Sequence, residues 1–244
     1  MKEKILEEFN GQYCSTDTIV AFVEGVIKGA LRKTIIWSIN DLIRQGKAVR
    51  VGRGVYGFMP KKRFNPAMSE ASKRVCSILQ SKFKYLVVTV TDTSVLGQFM
   101  NLQPFSTLVV IEARKSATGA VLSALRKEGV DAYAKRDYAK LEQYVSSPHP
   151  FLIRPELSVN PNMTQYDNVR VSSLEKILVD LVCDDDIYGQ YQGEELVNIY
   201  KNSTFDYAVN FSQVLKYGAA RKKKASVLAI LQETDVYDKI KDFL

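Results

Sequence analysis

The residues whose types and spacing best fit a reaction are two acids that follow predicted buried strands, Asp92 and Glu112. Asp92 comes directly after the β-branched run KYLVVTVT, and Glu112 is followed two positions later by Arg114 and then by Lys115. An Asp after one strand and a Glu-x-Lys on the next are typical of metal-dependent nucleases, which use Mg²⁺ to cleave phosphodiesters. Arg114 stands where such an enzyme has its lysine, and a permanently protonated guanidinium is a poor proton-transfer group. A metal-dependent nuclease is therefore an alternative and not the first expectation.

Three other motifs offer less chemistry. His149 is the sole histidine and lies between two prolines, which predicts a surface turn and excludes any metal site built on paired histidines. The match to G-x-G-x-x-G at Gly52, Gly54 and Gly57 runs into a strand instead of opening a helix, so it predicts a turn and not a dinucleotide site. The acidic run Asp184–Asp186 predicts a solvated loop. We therefore predict no catalytic residue, no metal and no cofactor.

The stretch Lys28–Phe58 has the clearest structural pattern in the chain. From Leu31 to Gln45, Ile35, Ile39 and Leu42 recur at helical spacing and form one apolar stripe. Gly46 is placed to end this helix. Two short strands separated by Gly52-Arg53-Gly54 then predict a β-hairpin over Lys47–Phe58. A helix followed by a basic hairpin is typical of the second half of a winged helix-turn-helix, in which the helix enters the major groove of DNA.

The charge distribution singles out the same stretch. The whole chain of 244 residues has a net charge of +7, but residues 28–63 contain ten Lys or Arg and only one acid, Asp41. This stretch alone has a net charge of +9, whereas residues 67–244 are almost neutral, with 22 basic and 21 acidic residues. Concentrated positive charge on an otherwise neutral protein indicates a polyanion-binding patch.

These patterns predict two domains of mixed α/β or α+β class. Residues 1–59 form the winged helix, with helices over Lys2–Phe9 and from Ser15-Thr16 to Val23 before the Leu31 helix. Residues 60–67, which contain two prolines and three adjacent charges, form a linker. Residues 68–244 form an α/β domain whose C-terminal part is helical. The predicted helices of that domain are Ser69–Phe83, Thr93–Met100, Thr118–Glu128, Leu174–Val182, Glu194–Lys201, Tyr207–Tyr217 and Lys222–Gln232. Its predicted strands are Lys84–Thr91, Leu108–Ala113, Val130–Ala134, Pro150–Arg154 and Val169–Ser172.

The cysteines and the N-terminal residues suggest a cytoplasmic protein. Cys14, Cys76 and Cys183 are far apart and odd in number, which predicts buried reduced thiols. The first residues, MKEKILEEF, lack the apolar core of a signal peptide, and no apolar run is long enough to span a bilayer. We expect no membrane association.

Two segments together resemble a known family. The stretch TIIWSINDLIRQGKAVRVGRGVYGF is similar to the N-terminal winged helix of AbiEi-type antitoxins from bacterial type IV toxin–antitoxin systems, above all in its ending Arg53-Gly54-Val55-Tyr56. The later stretch VRVSSLEKILVDLV resembles the segment of that family in which a short strand leads into a Glu-Lys/Arg-x-Leu-x-Asp helix. Its matching residues are Glu175, Lys176, Leu178 and Asp180.

The resemblance implies a non-catalytic regulator that represses its own operon. Such antitoxins bind inverted repeats in their own promoter and counteract a nucleotidyltransferase-like toxin without requiring a stable complex with it. Whether this protein would bind its DNA as an oligomer is left open by the sequence. The C-terminal domain serves antitoxicity and adds to DNA binding. Glu175 and Asp180 are expected to be structural.

Seven residues are predicted to contact double-stranded DNA. Those on the helix face opposite the apolar stripe would enter the major groove, and those on the wing would meet phosphates or the minor groove. They are Lys33, Thr34, Trp37, Asn40 and Arg44 on the helix, and Arg50 and Arg53 on the wing. Trp37, an aromatic on a polar face, is either a contact residue or a plug against the other domain, and we favour contact. The basic run Arg221–Lys224 is interpreted as a solvated helix face, or else as a docking site for an acidic partner or for DNA beside the wing. A winged helix used only for protein–protein contact is the remaining alternative.

Overall fold

A computed structural model describes residues 1–102, 104, 106–137, 149–157, 163–166 and 168–243. The fold is mixed α/β, and the chain divides into two compact units. The first unit comprises Met1–Phe64 and Tyr200–Leu244, and the second comprises Asn65–Ile199. The predicted second domain, residues 68–244, is therefore wrong in one respect, because its last 45 residues belong to the first unit. The sequence pattern does not reveal that residues 200–244 belong to the first unit, because this grouping depends on contacts between residues that are far apart in the chain.

The N-terminal part of the first unit consists of three helices and a small antiparallel sheet. Its elements are α1 (Lys2–Glu8), β1 (Tyr13–Ser15), α2 (Thr16–Val26), α3 (Arg32–Arg44), β2 (Val49–Gly52) and β3 (Val55–Gly57). The strands lie in the order β1-β3-β2. A common apolar core joins the helices to the hairpin, with Ile5, Ile19, Ile35, Ile39 and Phe58 among its members. Packing of the predicted apolar stripe of α3 into this core is confirmed.

Local sequence signals account for where these helices begin and end. The Ser15 hydroxyl accepts a hydrogen bond from the Thr18 N–H and caps α2, as predicted. Gly46, at φ 71°, ends α3, and the following Lys47 N–H donates to the Leu42 carbonyl at 3.0 Å. This is the Schellman geometry that favours glycine. Strand β1 was not predicted, since three residues carry too little periodicity to be recognised.

The second unit is a six-stranded mixed sheet with helices on both faces. Its elements are α4 (Glu70–Lys82), β4 (Val88–Asp92), β5 (Val109–Ala113), α5 (Thr118–Lys127), β6 (Ala132–Ala134), β7 (Phe151–Pro155), β8 (Thr164–Tyr166), β9 (Val169–Val171) and α6 (Leu174–Cys183). The strand order is β6-β7-β5-β4-β9-β8. Pairs β4–β5 and β8–β9 are antiparallel and the other pairs are parallel. Strand β8 was not predicted, and the predicted helix Thr93–Met100 is a 3-10 helix over Thr93–Phe99.

The two faces of this sheet differ in chemistry. One face is apolar and packs against α4 and α5, with Val88, Val90, Val109 and Ile111 in its core. Because side chains alternate along a strand, the residues between them point to the other face. There Thr89, Glu112 and Arg154 lie side by side on β4, β5 and β7, since Glu112 pairs with both of the other two.

The C-terminal part of the chain is helical, as predicted, but with different bounds. It contains α7 (Glu194–Asp206), α8 (Phe211–Ala220), α9 (Lys224–Gln232), α10 (Tyr237–Ile240) and a final 3-10 turn, Lys241–Phe243. In the first unit, α8 packs against β2. The segment predicted as a linker also pairs with this part, because the Lys62 N–H donates to the Asp206 carbonyl and the Lys62 carbonyl accepts from the Ala208 N–H, both at 2.9 Å.

The cysteines are all free, but their environments differ. Cys14 and Cys76 are buried, as predicted, whereas Cys183 is only half-buried. Among the described residues, no helix combines the length and the apolar character needed to cross a membrane.

Candidate nucleic-acid interface

The outer face of α3 carries the five predicted helix contacts. Lys33, Thr34, Trp37, Asn40 and Arg44 are all exposed, whereas Ile35, Ile39 and Leu42 are buried. At about 100° per residue, the five exposed side chains project within an arc of about 120°. Trp37 is 56% exposed, an unusual value for an indole. The helix therefore presents one continuous polar, cationic and aromatic face.

The hairpin carries the two remaining predicted contacts, Arg50 and Arg53. Arg50 is exposed on β2 between the buried residues Val49 and Val51, and its Nε donates to the Gly52 carbonyl at 3.2 Å. Arg53 is exposed in the turn between the strands. Beside it, Gly54 has a φ of 72°, and its carbonyl accepts a hydrogen bond from the Thr16 N–H at 2.7 Å. The hairpin tip is thereby fixed to the start of α2.

Lys2 and Arg44 lie beside the Trp37 ring, and both form ion pairs with Asp41. Lys2 of α1 forms an ion pair with Asp41 of α3, and its Nζ lies 5.2 Å from the centroid of the Trp37 ring. The Arg44 guanidinium carbon lies 5.8 Å from the same centroid, and Arg44 Nη2 is 3.0 Å from Asp41 Oδ1. The hydrogen bond from Lys2 holds the pKa of the Asp41 carboxyl below its ordinary value. In the sequence, Asp41 is distinctive only as the single acid in a basic stretch, and Lys2 carries no local pattern that points to Trp37.

The basic run Arg221–Lys224 lies in the same compact unit as α3 and the hairpin. It forms the turn between α8 and α9, and Lys222, Lys223 and Lys224 are exposed. Close packing joins α8 to the hairpin, because a Cβ on Gly52 would lie 2.7 Å from Ser212 Oγ. Lys222 has a φ of 57°, which makes it the one described residue other than glycine with a positive φ. This position, just past the end of a helix, normally favours glycine.

In the second unit, the two acids of the nuclease alternative do not converge. Thr89 is the cross-strand partner of Glu112, so Asp92, three residues further along β4, points to the opposite face of the sheet. Asp92 is engaged by the start of α4, where it accepts hydrogen bonds from the Ser69 N–H at 2.8 Å and the Ser72 hydroxyl at 2.6 Å. Arg114 is exposed in the loop that follows β5. Asp92 and Glu112 therefore cannot share a metal ion.

Instead, Glu112 belongs to a buried ion cluster formed by Glu112, Arg154, Lys176, Asp180 and Asp184. Arg154 Nε donates to Glu112 Oε1 at 3.0 Å, and its Nη1 donates to Asp184 Oδ2 at 2.8 Å. Lys176 Nζ donates to the same Glu112 oxygen at 3.0 Å and also contacts Asp180. Burial by itself would lower the pKa of Arg154, but the negative charges of the three acids raise it above its ordinary value, so Arg154 stays protonated.

The antitoxin-like segment VRVSSLEKILVDLV contributes two of the residues of this cluster. Lys176 and Asp180 are fully buried in it, Leu178 is in the core, and Glu175 is half-exposed on the outer side of α6. Asp184, predicted to be solvated, is buried against Arg154, so that prediction is wrong for this residue, while Asp185 and Asp186 are exposed. Glu112 Oε2, Thr89 Oγ1 and the Tyr188 hydroxyl are buried without a hydrogen-bond partner among the described residues.

The remaining candidates form no catalytic arrangement. His149 is exposed, and its Nδ1 lies 2.6 Å from the Thr107 hydroxyl. Asp186 pairs with Lys135 at 3.1 Å. Within the part of the chain that the structure describes, no group of three or more His, Cys, Asp or Glu side chains is arranged to hold a metal ion. In the first unit, by contrast, α3 presents a face of exposed cationic, polar and aromatic side chains.

The comparisons with known proteins assign the chain to a family but not to an activity. The chain belongs to a family of unknown function (DUF6577), whose model matches residues 34–236 and so includes parts of both units. No curated protein matches the chain. Among solved structures, the RV2827C protein from Mycobacterium tuberculosis aligns with 96% of this chain and 80% of its own at 12% identity. Its TM-score of 0.26 is too low to support any argument.

Proposed function

We propose that the first unit is a winged helix-turn-helix that binds double-stranded DNA, with α3 in the major groove and the hairpin β2–β3 as the wing. The order of elements α1-β1-α2-α3-β2-β3 fits this assignment. The observation that carries the proposal is the single exposed face of α3, on which Lys33, Asn40 and Arg44 flank Trp37. Lysine and arginine supply phosphate and guanine contacts, and asparagine is suited to adenine.

The protein would act as a cytoplasmic, non-catalytic regulator of transcription that represses its own promoter. Its resemblance to AbiEi-type antitoxins suggests a role against a nucleotidyltransferase-like toxin encoded beside it. In this proposal the Glu-Lys-x-Leu-x-Asp segment is structural, because Lys176 and Asp180 are buried in the ion cluster and are out of reach of a partner. Antitoxicity would then depend on exposed residues of the second unit.

The same interface would extend to the C-terminal helices. Arg221–Lys224 lies in the first unit, and α8, which precedes this run, packs against the wing strand β2. Its three exposed lysines add positive charge to a unit that already contains the most basic stretch of the chain. We therefore assign this turn to the phosphate backbone beside the wing.

The decisive experiment is a salt titration of binding to the DNA upstream of the gene, measured by fluorescence anisotropy. Arg53→Ala should weaken binding and lower the slope of log affinity against log salt by about one, because one phosphate contact is lost. Lys127→Ala is the matched control, since it removes one exposed positive charge from α5 of the second unit. An unchanged slope for Arg53→Ala would remove Arg53 from the interface.

Two further outcomes decide between the proposal and its alternatives. Absence of any complex with upstream DNA at moderate salt would favour a winged helix used for protein–protein contact. Cleavage of DNA in the presence of Mg²⁺ or Mn²⁺ would favour the nuclease. Since Asp92 and Glu112 point to opposite faces of the sheet, the proposal expects no cleavage that depends on both residues.

A further inference from the structure

We propose that Asp41 is a positioning residue that holds Lys2 and Arg44 around the exposed Trp37 and so sets the sequence selectivity of α3. This inference rests on the proposed DNA-binding function and deepens it. Asp41 is the one acid between residues 25 and 69, and it lies among the five cationic, polar and aromatic residues of the α3 outer face. An acid at that place repels phosphates, so its position requires a physical explanation.

The contacts of Asp41 supply that explanation. One carboxylate oxygen, Oδ2, contacts Lys2 Nζ and accepts a hydrogen bond from Gln45 Nε2 at 2.7 Å. The other oxygen, Oδ1, accepts from Arg44 Nη2 at 3.0 Å. One carboxylate thus contacts three side chains: Lys2 of α1, Arg44 at the end of α3, and Gln45, the residue that follows α3.

Two of these three side chains also lie against the indole. Lys2 Nζ and the Arg44 guanidinium carbon are 5.2 Å and 5.8 Å from the Trp37 ring centroid, within the range of cation–π attraction. The Arg44 guanidinium therefore contacts both a carboxylate and an aromatic ring. A guanidinium with one fixed orientation is suited to bidentate recognition of a base edge, whereas a mobile one contacts any nearby phosphate.

In this arrangement Asp41 lowers the affinity for DNA of any sequence and raises the selectivity between sequences. Two cations paired with Asp41 contribute less to nonspecific phosphate binding than two free cations would. In return, the side chains that meet the groove are oriented before DNA binds, which lowers the entropy lost on forming the specific complex. Selectivity measured as a ratio of affinities, and not affinity alone, is the quantity that Asp41 controls.

The test compares Asp41→Asn with the parent protein on two DNAs, the upstream sequence and an unrelated duplex of equal length. Asparagine keeps the size of the side chain but frees Lys2 and Arg44 to contact phosphates. The slope of log affinity against log salt on the unrelated duplex should steepen by up to about 1.8, at about 0.9 per phosphate contact. The ratio of the two affinities should fall by about tenfold or more, the discrimination carried by one base contact.

A second readout needs no DNA. Trp37 is the only tryptophan of the chain, so its fluorescence reports this cluster alone. Release of Lys2 and Arg44 should increase the quenching of Trp37 by acrylamide. Glu70→Gln is the matched control, because it breaks an exposed ion pair of the second unit, that between Lys73 and Glu70 at 2.6 Å. This control should leave both the quenching and the affinity ratio unchanged.

The outcomes separate the inference from the function on which it rests. If Asp41→Asn leaves the affinity ratio and the quenching unchanged while Arg53→Ala still lowers the salt slope, DNA binding stands and the role of Asp41 is refuted. Equal weakening on both duplexes with no steeper slope would show a merely structural role and also refute it. If the parent protein binds neither duplex, the proposed function fails and the inference fails with it.

Discussion

Replacement of Lys176 by methionine tests whether the buried ion cluster stabilises the second unit. The cluster contains three buried acids and two buried cations, Arg154 and Lys176. Lys176→Met leaves the three acids with Arg154 alone, and Glu112 already has one oxygen without a hydrogen-bond partner among the described residues. Loss of one partner from a buried ion pair typically destabilises a protein by about 3–5 kcal/mol. Glu112 and Asp180 both retain contacts to Arg154, so we expect the lower end, about 3 kcal/mol.

Hydrogen exchange followed by mass spectrometry measures this loss of stability in the second unit alone. Peptides from β5 and β7 should exchange about 100-fold faster in Lys176→Met, because each 1.4 kcal/mol corresponds to a factor of about ten. Lys73→Met is the control, since Lys73 forms an exposed i,i+3 ion pair with Glu70 at 2.6 Å. Such pairs contribute less than about 1 kcal/mol.

A second substitution makes the test specific for charge balance. In Lys176→Met/Asp180→Asn the buried acids again exceed the cations by one, as in the parent protein, so the double variant should be more stable than Lys176→Met. Exchange rates in Lys176→Met that match those of Lys73→Met would refute the reasoning. A double variant less stable than the single one would show that packing of the lysine stem, and not its charge, stabilises α6.

Two further predictions concern Asp92 and Lys222. Burial would raise the pKa of Asp92, but hydrogen bonds from Ser72, Ser94 and Ser69 lower it overall, so its stabilisation is present above pH 4 and is lost as the pH falls through the lowered pKa. Asp92→Asn should therefore destabilise the protein by about 1–3 kcal/mol at pH 7 and by less at pH 3, as measured by urea midpoints; an equal loss at both pH values would contradict this. Lys222→Gly should relieve the positive φ and stabilise the protein by up to about 1 kcal/mol, while it lowers the salt slope of DNA binding by about one. A slope that stays unchanged in this more stable variant would exclude Lys222 from the interface.

Elements with strong local signals could be predicted from the sequence. The apolar stripe of α3, its end at Gly46, and the caps Ser15, Ser69 and Ser173 all depend on residues within a few positions of one another. The exposed face of α3 followed directly from the same periodicity. The predicted contacts on it remain predictions, because exposure shows that a side chain is accessible and not what it binds.

Features that depend on residues far apart in the chain could not be predicted. Glu112, Arg154 and Lys176 meet only because β5 pairs with β7 and α6 covers the face that they share. Each of them, seen alone in the sequence, resembles an ordinary charged residue at the end of a strand or on a helix. The grouping of residues 200–244 with the first unit has the same origin. Lys2 reaches Asp41 and Trp37 across 39 and 35 positions of sequence, which no local pattern reveals.

The ion cluster also determines which strand alignments the second unit can adopt as it folds. In the native sheet Glu112 lies opposite Arg154 on β7 and opposite Thr89 on β4. A slip of β5 by one residue would turn Glu112 toward the apolar core formed with α4 and α5, and would place an aliphatic side chain beside Arg154. Glu112 would then be buried without a cationic partner, at a cost of several kcal/mol. A misaligned sheet is thus penalised at the centre of the unit, and the same five residues that stabilise the native state exclude its nearest competitors.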